Sequence, residues 1–129
     1  MTEYISDRLR ASVKALLILG SSLGTSATVA ATNEGSYLMQ GSSSCAEALQ
    51  AAANPGSVEY FAIRGWVAGY LTAYNARTLN TYSILGNSDL GGAMLWISSY
   101  CARSPLDNVG DAAVALTHEL HPKRLLKKN

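Results

Sequence analysis

The sequence contains little charge and no long apolar run. Only 15% of its 129 residues are charged, and ten basic side chains nearly balance nine acidic ones. A neutral chain is a poor electrostatic match for nucleic acid or for an anionic membrane surface, so we expect neither as a partner. The most apolar stretch, residues 15–23, is far shorter than the 18 or so residues that cross a bilayer. We therefore expect no membrane anchor.

Residues that carry common chemistries are equally scarce. His118 and His121 are the only two histidines, and a metal site needs further ligands that the neighbouring sequence does not supply at the right spacing. The serines at 42–44 have no partner histidine pattern, so a catalytic triad is not indicated. We expect no catalytic residue, no metal site, no cofactor and no enzymatic activity. The alternative is a small hydrolase in which the fold brings a serine to His118.

The first 31 residues have the order of a secretory signal peptide. Three basic residues between positions 8 and 14 precede the apolar stretch, and small residues follow it up to Ala31. Cleavage after Ala30 and cleavage after Ala31 both fit this pattern. We expect export to the periplasm or the outside of the cell. The mature chain then has 98 of the 129 residues, with seven acidic and seven basic side chains.

Cys45 and Cys101 are the only two cysteines, and both follow the predicted signal peptide. Export places a protein in an oxidising compartment, and two cysteines allow one intramolecular pairing. A domain of this size has a limited core and gains much from a covalent link. We therefore expect a disulfide, and the alternative is a pair of free, buried thiols.

Apolar spacing predicts four helices, and no segment alternates as a strand does. Ser44 and Glu47 form a capping box that starts the first helix, which ends at the turn signal 54–56. The third helix is expected to begin at Ser88 and to bury a seam that includes Met94 and Ile97, together with Leu90 and Cys101.

The fourth helix is expected to begin at Ser104 and Pro105, since proline is favoured at the first helical position. The connection 76–88 is unusually long. Its apolar side chains are expected to fold onto the core, and they are Leu79, Tyr82, Ile84 and Leu85.

The second predicted helix, from Val58 to Asn75, is the central one. Its core-facing arc contains Ile63, Trp66, Val67, Tyr70, Leu71 and Tyr74. Beside that arc runs a stripe of small residues: Ala62, Gly65, Gly69, Ala73 and Ala76. The two glycines cost about 1 kcal/mol each relative to alanine. We therefore expect another helix to pack closely against this stripe.

These patterns predict an all-α protein, a small four-helix domain stapled by one disulfide after an N-terminal signal peptide. The expected divisions are a signal peptide at 1–31, a flexible leader at 32–43, the helical domain at 44–121 and a basic tail at 122–129.

Tyrosine and tryptophan are enriched at protein interfaces, and a small bundle cannot bury every one. We expect Tyr70, Tyr74 and Trp96 to form a partner-facing surface.

Three of these features together resemble the small periplasmic HdeA/HdeB-type proteins. They are a cysteine at a helix start, the run Trp66-x-x-Gly69-Tyr70-Leu71, and the run Tyr100-Cys101-x-x-x-Pro105. The resemblance covers 45–120 and implies an all-helical domain with a disulfide between Cys45 and Cys101. It also implies a stress chaperone that opens at low pH and exposes apolar surface to unfolded clients.

A second set of features is similar to the Tai-type immunity proteins of type VI secretion. It comprises the first cysteine, the Gly-Tyr pair of the central helix, the Cys101-x-x-x-Pro105 start of the last helix and the ending Glu119-Leu120-His121-Pro122. This resemblance implies a periplasmic protein that binds and blocks one toxin. The HdeA-like hypothesis is preferred. The sequence leaves open whether the protein serves many clients or one partner, and whether it forms a homodimer.

Overall fold

A computed structural model describes residues 36–128 of the chain. The chain divides into two units, Met1–Tyr37 and Leu38–Asn129, and every helix described below lies in the second. The predicted signal peptide at 1–31 lies outside the described residues, so its cleavage and the export of the protein stay predictions.

Within residues 36–128, four α-helices follow one another, and a single turn of 3-10 helix at His121–Lys123 closes the series. Between residues 36 and 128 the only β-type pairs are two isolated bridges, Ser44 with Asn108 and Ser83 with Leu125. The all-α prediction is confirmed. The helices are α1 (Cys45–Ala52), α2 (Val58–Arg77), α3 (Leu90–Arg103) and α4 (Val109–Leu120).

The four helices share one hydrophobic core. α1 packs on α2 and α3, and α4 packs on the same two helices. Met94 and Ile97 are buried, as the seam of the third helix predicts, and Trp66 packs at the edge of the core. The largest side chains with almost no solvent exposure are Val67, Ile84, Ile97, Val109 and Leu116.

Cys45 and Cys101 form the predicted disulfide. Their Cα atoms are 4.9 Å apart, and neither residue is exposed to solvent. The bond joins the first turn of α1 to the last turn of α3. The backbone amide of Cys45 also donates to the carbonyl oxygen of Asp107 at 2.9 Å. The start of α1 is thus attached to α3 and to the turn that leads into α4.

Every α-helix begins at a residue whose side chain accepts a backbone hydrogen bond. Ser44 and Ser57 cap α1 and α2 as predicted, and Glu47 completes the capping box of α1. Side-chain caps of this kind contribute about 1 kcal/mol each.

The predicted caps of the third and fourth helices were wrong. Asp89, not Ser88, caps α3, because its carboxylate accepts from the amide of Gly92 at 2.8 Å. α4 begins after Asn108 rather than at Ser104, because Asn108 and Asp111 form a capping box. The segment that was expected to form the first turn of α4 is a separate turn, closed by the Asp107 amide on the Ser104 carbonyl at 3.1 Å.

The stripe of small residues on α2 is exposed, which corrects a second prediction. Cβ atoms built on Gly65 and Gly69 would meet nothing within 4 Å, so no helix of the described chain lies against them. The stripe cannot pack inside the bundle because the buried side of α2 is formed by Ile63, Val67 and Leu71.

The connection between α2 and α3 is anchored at one side chain. Ile84 is fully buried, and its amide donates to Asn75 Oδ1 at 2.8 Å. Leu85 packs against the core as expected, whereas Leu79 and Tyr82 are 87% and 50% exposed and were wrongly predicted to fold onto it.

Both ends of the domain are attached by hydrogen bonds. In the expected leader, the Ser43 carbonyl accepts from the Val109 amide at 2.8 Å, and the Ser42 hydroxyl accepts from the Gly110 amide at 2.7 Å. In the expected tail, the Leu125 amide donates to the Ser83 carbonyl at 2.9 Å. Backbone pairing therefore extends the domain beyond its helices.

Replacing both half-cystines tests how much the disulfide contributes to stability. The Cys45→Ala/Cys101→Ala double variant is expected to lose about 4 kcal/mol of unfolding free energy, because the bond closes a loop of 56 residues. Urea unfolding followed by circular dichroism measures this loss. Adding a reductant should lower the midpoint of the wild type but not that of the double variant. Equal midpoints for the two proteins under oxidising conditions would contradict this role.

Ile84 and Leu79 form a matched pair in one connection. Ile84→Ala removes a fully buried side chain and is expected to cost about 3 kcal/mol. Leu79→Ala removes a side chain that is 87% exposed, and a change of less than about 0.5 kcal/mol is expected. Urea midpoints of the two variants measure the difference. Similar losses would show that the connection is not anchored at Ile84.

Candidate partner-binding surface

A groove with a volume of about 580 Å³ runs between α3 and α4. Side chains from both helices form its walls, and the residues from α3 recur at the four- and three-residue spacing of one helix face. The lining residues are Trp96, Tyr100, Arg103, Asp111, Val114, Ala115, His118 and Glu119.

Two stacked aromatic rings form the apolar part of this groove. Trp96 and Tyr100 lie one helical turn apart, with ring centroids separated by 5.8 Å and planes inclined by 21°. The Tyr100 hydroxyl donates to Asp107 Oδ2 at 2.7 Å, and this hydrogen bond raises the pKa of Tyr100 above its usual range. Tyr100 is therefore held in place at both its ring and its hydroxyl. Large aromatic side chains that are already fixed lose little entropy on binding.

Polar groups of mixed charge surround the aromatic pair. Arg103 donates to the Ser99 hydroxyl at 2.7 Å, which holds the guanidinium beside α3. His118 and Glu119 line the groove from α4. Val114, one turn before His118 on the same helix, also lines it and is 40% exposed. An apolar centre with a polar rim is the usual composition of a protein–protein interface.

The three aromatic residues predicted to face a partner have different neighbours. Trp96 lies in the groove, whereas Tyr70 stacks on Trp66 with centroids 5.7 Å apart. Tyr74 is hydrogen-bonded through its hydroxyl to His121 Nδ1 at 2.8 Å. A partner-binding role stays a prediction for all three.

The α4 side of the groove was missed at the sequence level. Val114 and His118 are spaced four apart and face the same groove as Trp96. The four-residue spacing of Val114 and His118 already indicated that they share one face of a helix. Only the packing of α4 on α3 shows that this face meets Trp96.

A second groove, of about 610 Å³, lies between α1 and α2, and two of its polar lining residues, Glu47 and Ser57, already take part in helix caps. The Glu47 carboxylate accepts from the Ser44 amide at 2.8 Å and from the Ser44 hydroxyl at 2.9 Å. These hydrogen bonds lower the pKa of Glu47, and the backbone one has the larger effect. The Ser57 hydroxyl accepts from the Tyr60 amide. This groove is larger, but its lining residues include no aromatic side chain.

No cluster of three or more potential metal ligands occurs within residues 36–128. His118 lines a groove whose other lining residues include no serine or cysteine, and His121 is bonded to Tyr74. No helix in this part of the chain combines the length and the apolar character needed to cross a membrane.

No protein-family model matches the chain, and no curated protein or solved structure is significantly similar to it. The resemblances to HdeA-like and Tai-type proteins therefore stay hypotheses.

Proposed function

We propose that this is a non-catalytic, exported protein that binds one specific partner protein through the groove between α3 and α4. The supporting observation is the fixed Trp96–Tyr100 stack, which presents aromatic surface in the folded state without any rearrangement. The binding-site residues are Trp96, Tyr100 and Val114. The proposal places the protein in the periplasm or outside the cell, where its disulfide is stable.

The groove specifies the chemistry of the partner segment. Its centre accepts an aliphatic or aromatic side chain between the stacked rings and Val114. Its rim offers a guanidinium at Arg103, an imidazole at His118 and carboxylates at Asp111 and Glu119. We therefore propose a partner surface with one large apolar anchor surrounded by polar groups, rather than a surface of a single charge sign.

The composition of the core favours this function over acid-activated opening. Thr117 is the one polar residue that is buried among residues 36–128, and its hydroxyl is hydrogen-bonded to the carbonyl oxygens of Ala113 and Val114. The buried interior of this region thus contains no acid, histidine, lysine or arginine whose charge could change with pH. Acidification acts instead on exposed groups such as the carboxylate of Glu47. Protonating such groups changes the unfolding free energy of a disulfide-linked bundle only slightly.

Substitutions in the groove test the proposal. Val114→Arg places a charge in its apolar centre, and Trp96→Ala removes its largest side chain. Loss of an interface anchor costs at least about 2 kcal/mol, which weakens binding about thirtyfold. Leu95→Arg is the control, because Leu95 is 75% exposed on α3 and does not line the groove.

The measurement is quantitative co-purification of periplasmic proteins with tagged wild type and with each variant. We expect one protein to be retained by wild type and Leu95→Arg and lost from Val114→Arg and Trp96→Ala. Circular dichroism checks that all four proteins are equally helical. Recovery of the same many proteins with every variant would contradict the proposal and favour a general chaperone.

A further inference from the structure

One whole face of α2 is apolar and exposed. It extends over all five turns of the helix, about 30 Å, and contains no charged residue. Val58 and Phe61 at its N-terminal end are 80% and 59% exposed. The other members are small or polar and uncharged: Ala62, Gly65, Gly69, Thr72, Ala73 and Ala76, and all of these are exposed. We name these eight residues the outer face of α2.

The opposite side of the same helix is buried in the core through Ile63, Val67 and Leu71. α2 is therefore apolar on two sides. A helix with this distribution is usually covered on both.

Packing inside the described chain does not account for the two glycines at the centre of the outer face. Each costs about 1 kcal/mol relative to alanine in a helix interior. A Cβ atom added to Gly65 or to Gly69 would meet open space. Small residues spaced one turn apart allow the backbone of a second helix to approach closely. The glycines thus indicate an occupant that comes from outside the bundle and is itself helical.

We propose that the occupant is the outer face of a second copy of this chain, arranged antiparallel about a two-fold axis level with Val67. This arrangement sets the two glycines opposite each other, Gly65 of one copy against Gly69 of the other. The same symmetry pairs each bulky residue with a small one. Phe61 lies opposite Ala73, Val58 lies opposite Ala76, and Ala62 lies opposite Thr72.

A parallel arrangement lacks this complementarity. It would bring Val58 and Phe61 of both copies together at one end, so that the bulkiest side chains of the face oppose each other instead of small residues. The antiparallel arrangement gives an isologous contact, in which each copy contributes the same surface and the assembly closes at two subunits.

The charges at the edge of the outer face also fit two antiparallel copies. Glu59 and Arg77 are eighteen positions apart, which is five full turns, so they lie on the same flank of α2. In the antiparallel pair, the positions of Glu59 in one copy and Arg77 in the other differ by only about 3 Å along the direction of the helix axes. Opposite charges therefore meet at both ends. A parallel pair would place the two Glu59 side chains at the same end instead.

The size of the face predicts a reversible association. A strip one helix wide and about 30 Å long is smaller than the roughly 800 Å² that each partner buries in a standard stable interface. We expect a dimer that dissociates within the range of about 1 µM to 1 mM.

Sedimentation equilibrium of the oxidised protein over that concentration range tests the proposal. The wild type is expected to change from monomer to dimer. Gly69→Leu is expected to raise the dissociation constant at least about tenfold, because its side chain separates the two helices. At protein concentrations below about 1 µM, where the wild type is monomeric, the urea midpoint of the same variant should equal or exceed that of the wild type, since leucine is the better helix former and meets open space. Ala102→Leu, at an exposed position of α3, is the matched control and should leave the dimer unchanged.

Exchange of the flanking charges tests the antiparallel direction. Glu59→Lys and Arg77→Glu should each weaken the dimer, and the double variant should restore it. If the double variant dimerises as weakly as the single variants, the antiparallel arrangement is overturned. A wild type that stays monomeric up to about 1 mM would overturn the dimer itself. A lower urea midpoint for Gly69→Leu would also overturn it, because the outer face would then be covered within one chain.

Discussion

The disulfide between Cys45 and Cys101 is the constraint on which the rest of the domain depends. α1 has only 8 residues, and an isolated helix of this length is not stable in water. The bond attaches the first turn of α1 to the end of α3 at a fully buried point. A domain of this size buries a limited apolar area on folding. The covalent link at its centre therefore supplies stability that a larger core would otherwise provide.

The same point of attachment also positions the candidate binding surface. The Cys45 amide donates a hydrogen bond to the carbonyl oxygen of Asp107, and the carboxylate of Asp107 accepts one from the hydroxyl of Tyr100. Tyr100 in turn stacks on Trp96. A short chain of contacts therefore runs from the disulfide to the groove. The fold and the proposed binding surface depend on the same few residues at the turn between α3 and α4.

Local patterns in the sequence were sufficient for the helices but not for all of their ends. Ser44 and Ser57 were predicted as caps because serine acts there on amides only three residues away. The segment from Ser104 to Asp107 has an equally good local pattern. The Asp107 carbonyl, however, accepts from Cys45, which is distant in sequence, and the Asp107 carboxylate accepts from Tyr100 on the preceding helix. Asn108 then caps α4 in its place. Such competition between local and tertiary partners cannot be seen in a single stretch of sequence.

The errors on α2 and on the connection that follows it have a related cause. Ile84 and Leu79 are similar side chains in the same polar segment, and only the course of the backbone buries one and exposes the other. The small stripe of α2 was correctly placed on one side of the helix, but helical periodicity does not identify what covers a face. Trp96 was selected from the sequence for its chemistry, whereas Val114 and His118 join it in the groove only through the pairing of two helices.

The central proposal is that the folded bundle displays a partner-binding surface and that the core formed by residues 36–128 contains no acid-sensitive group. Its most direct test is helicity and apolar-dye binding measured together from about pH 7 to about pH 2. The pKa of Glu47 is lowered on folding, so its stabilising effect is present at neutral pH and is lost as the pH falls through its folded-state pKa. We predict only this gradual loss, with little dye bound for as long as helicity and tertiary packing persist. A reversible rise in dye binding near about pH 3 with helicity retained would contradict the claim and indicate an acid-activated chaperone.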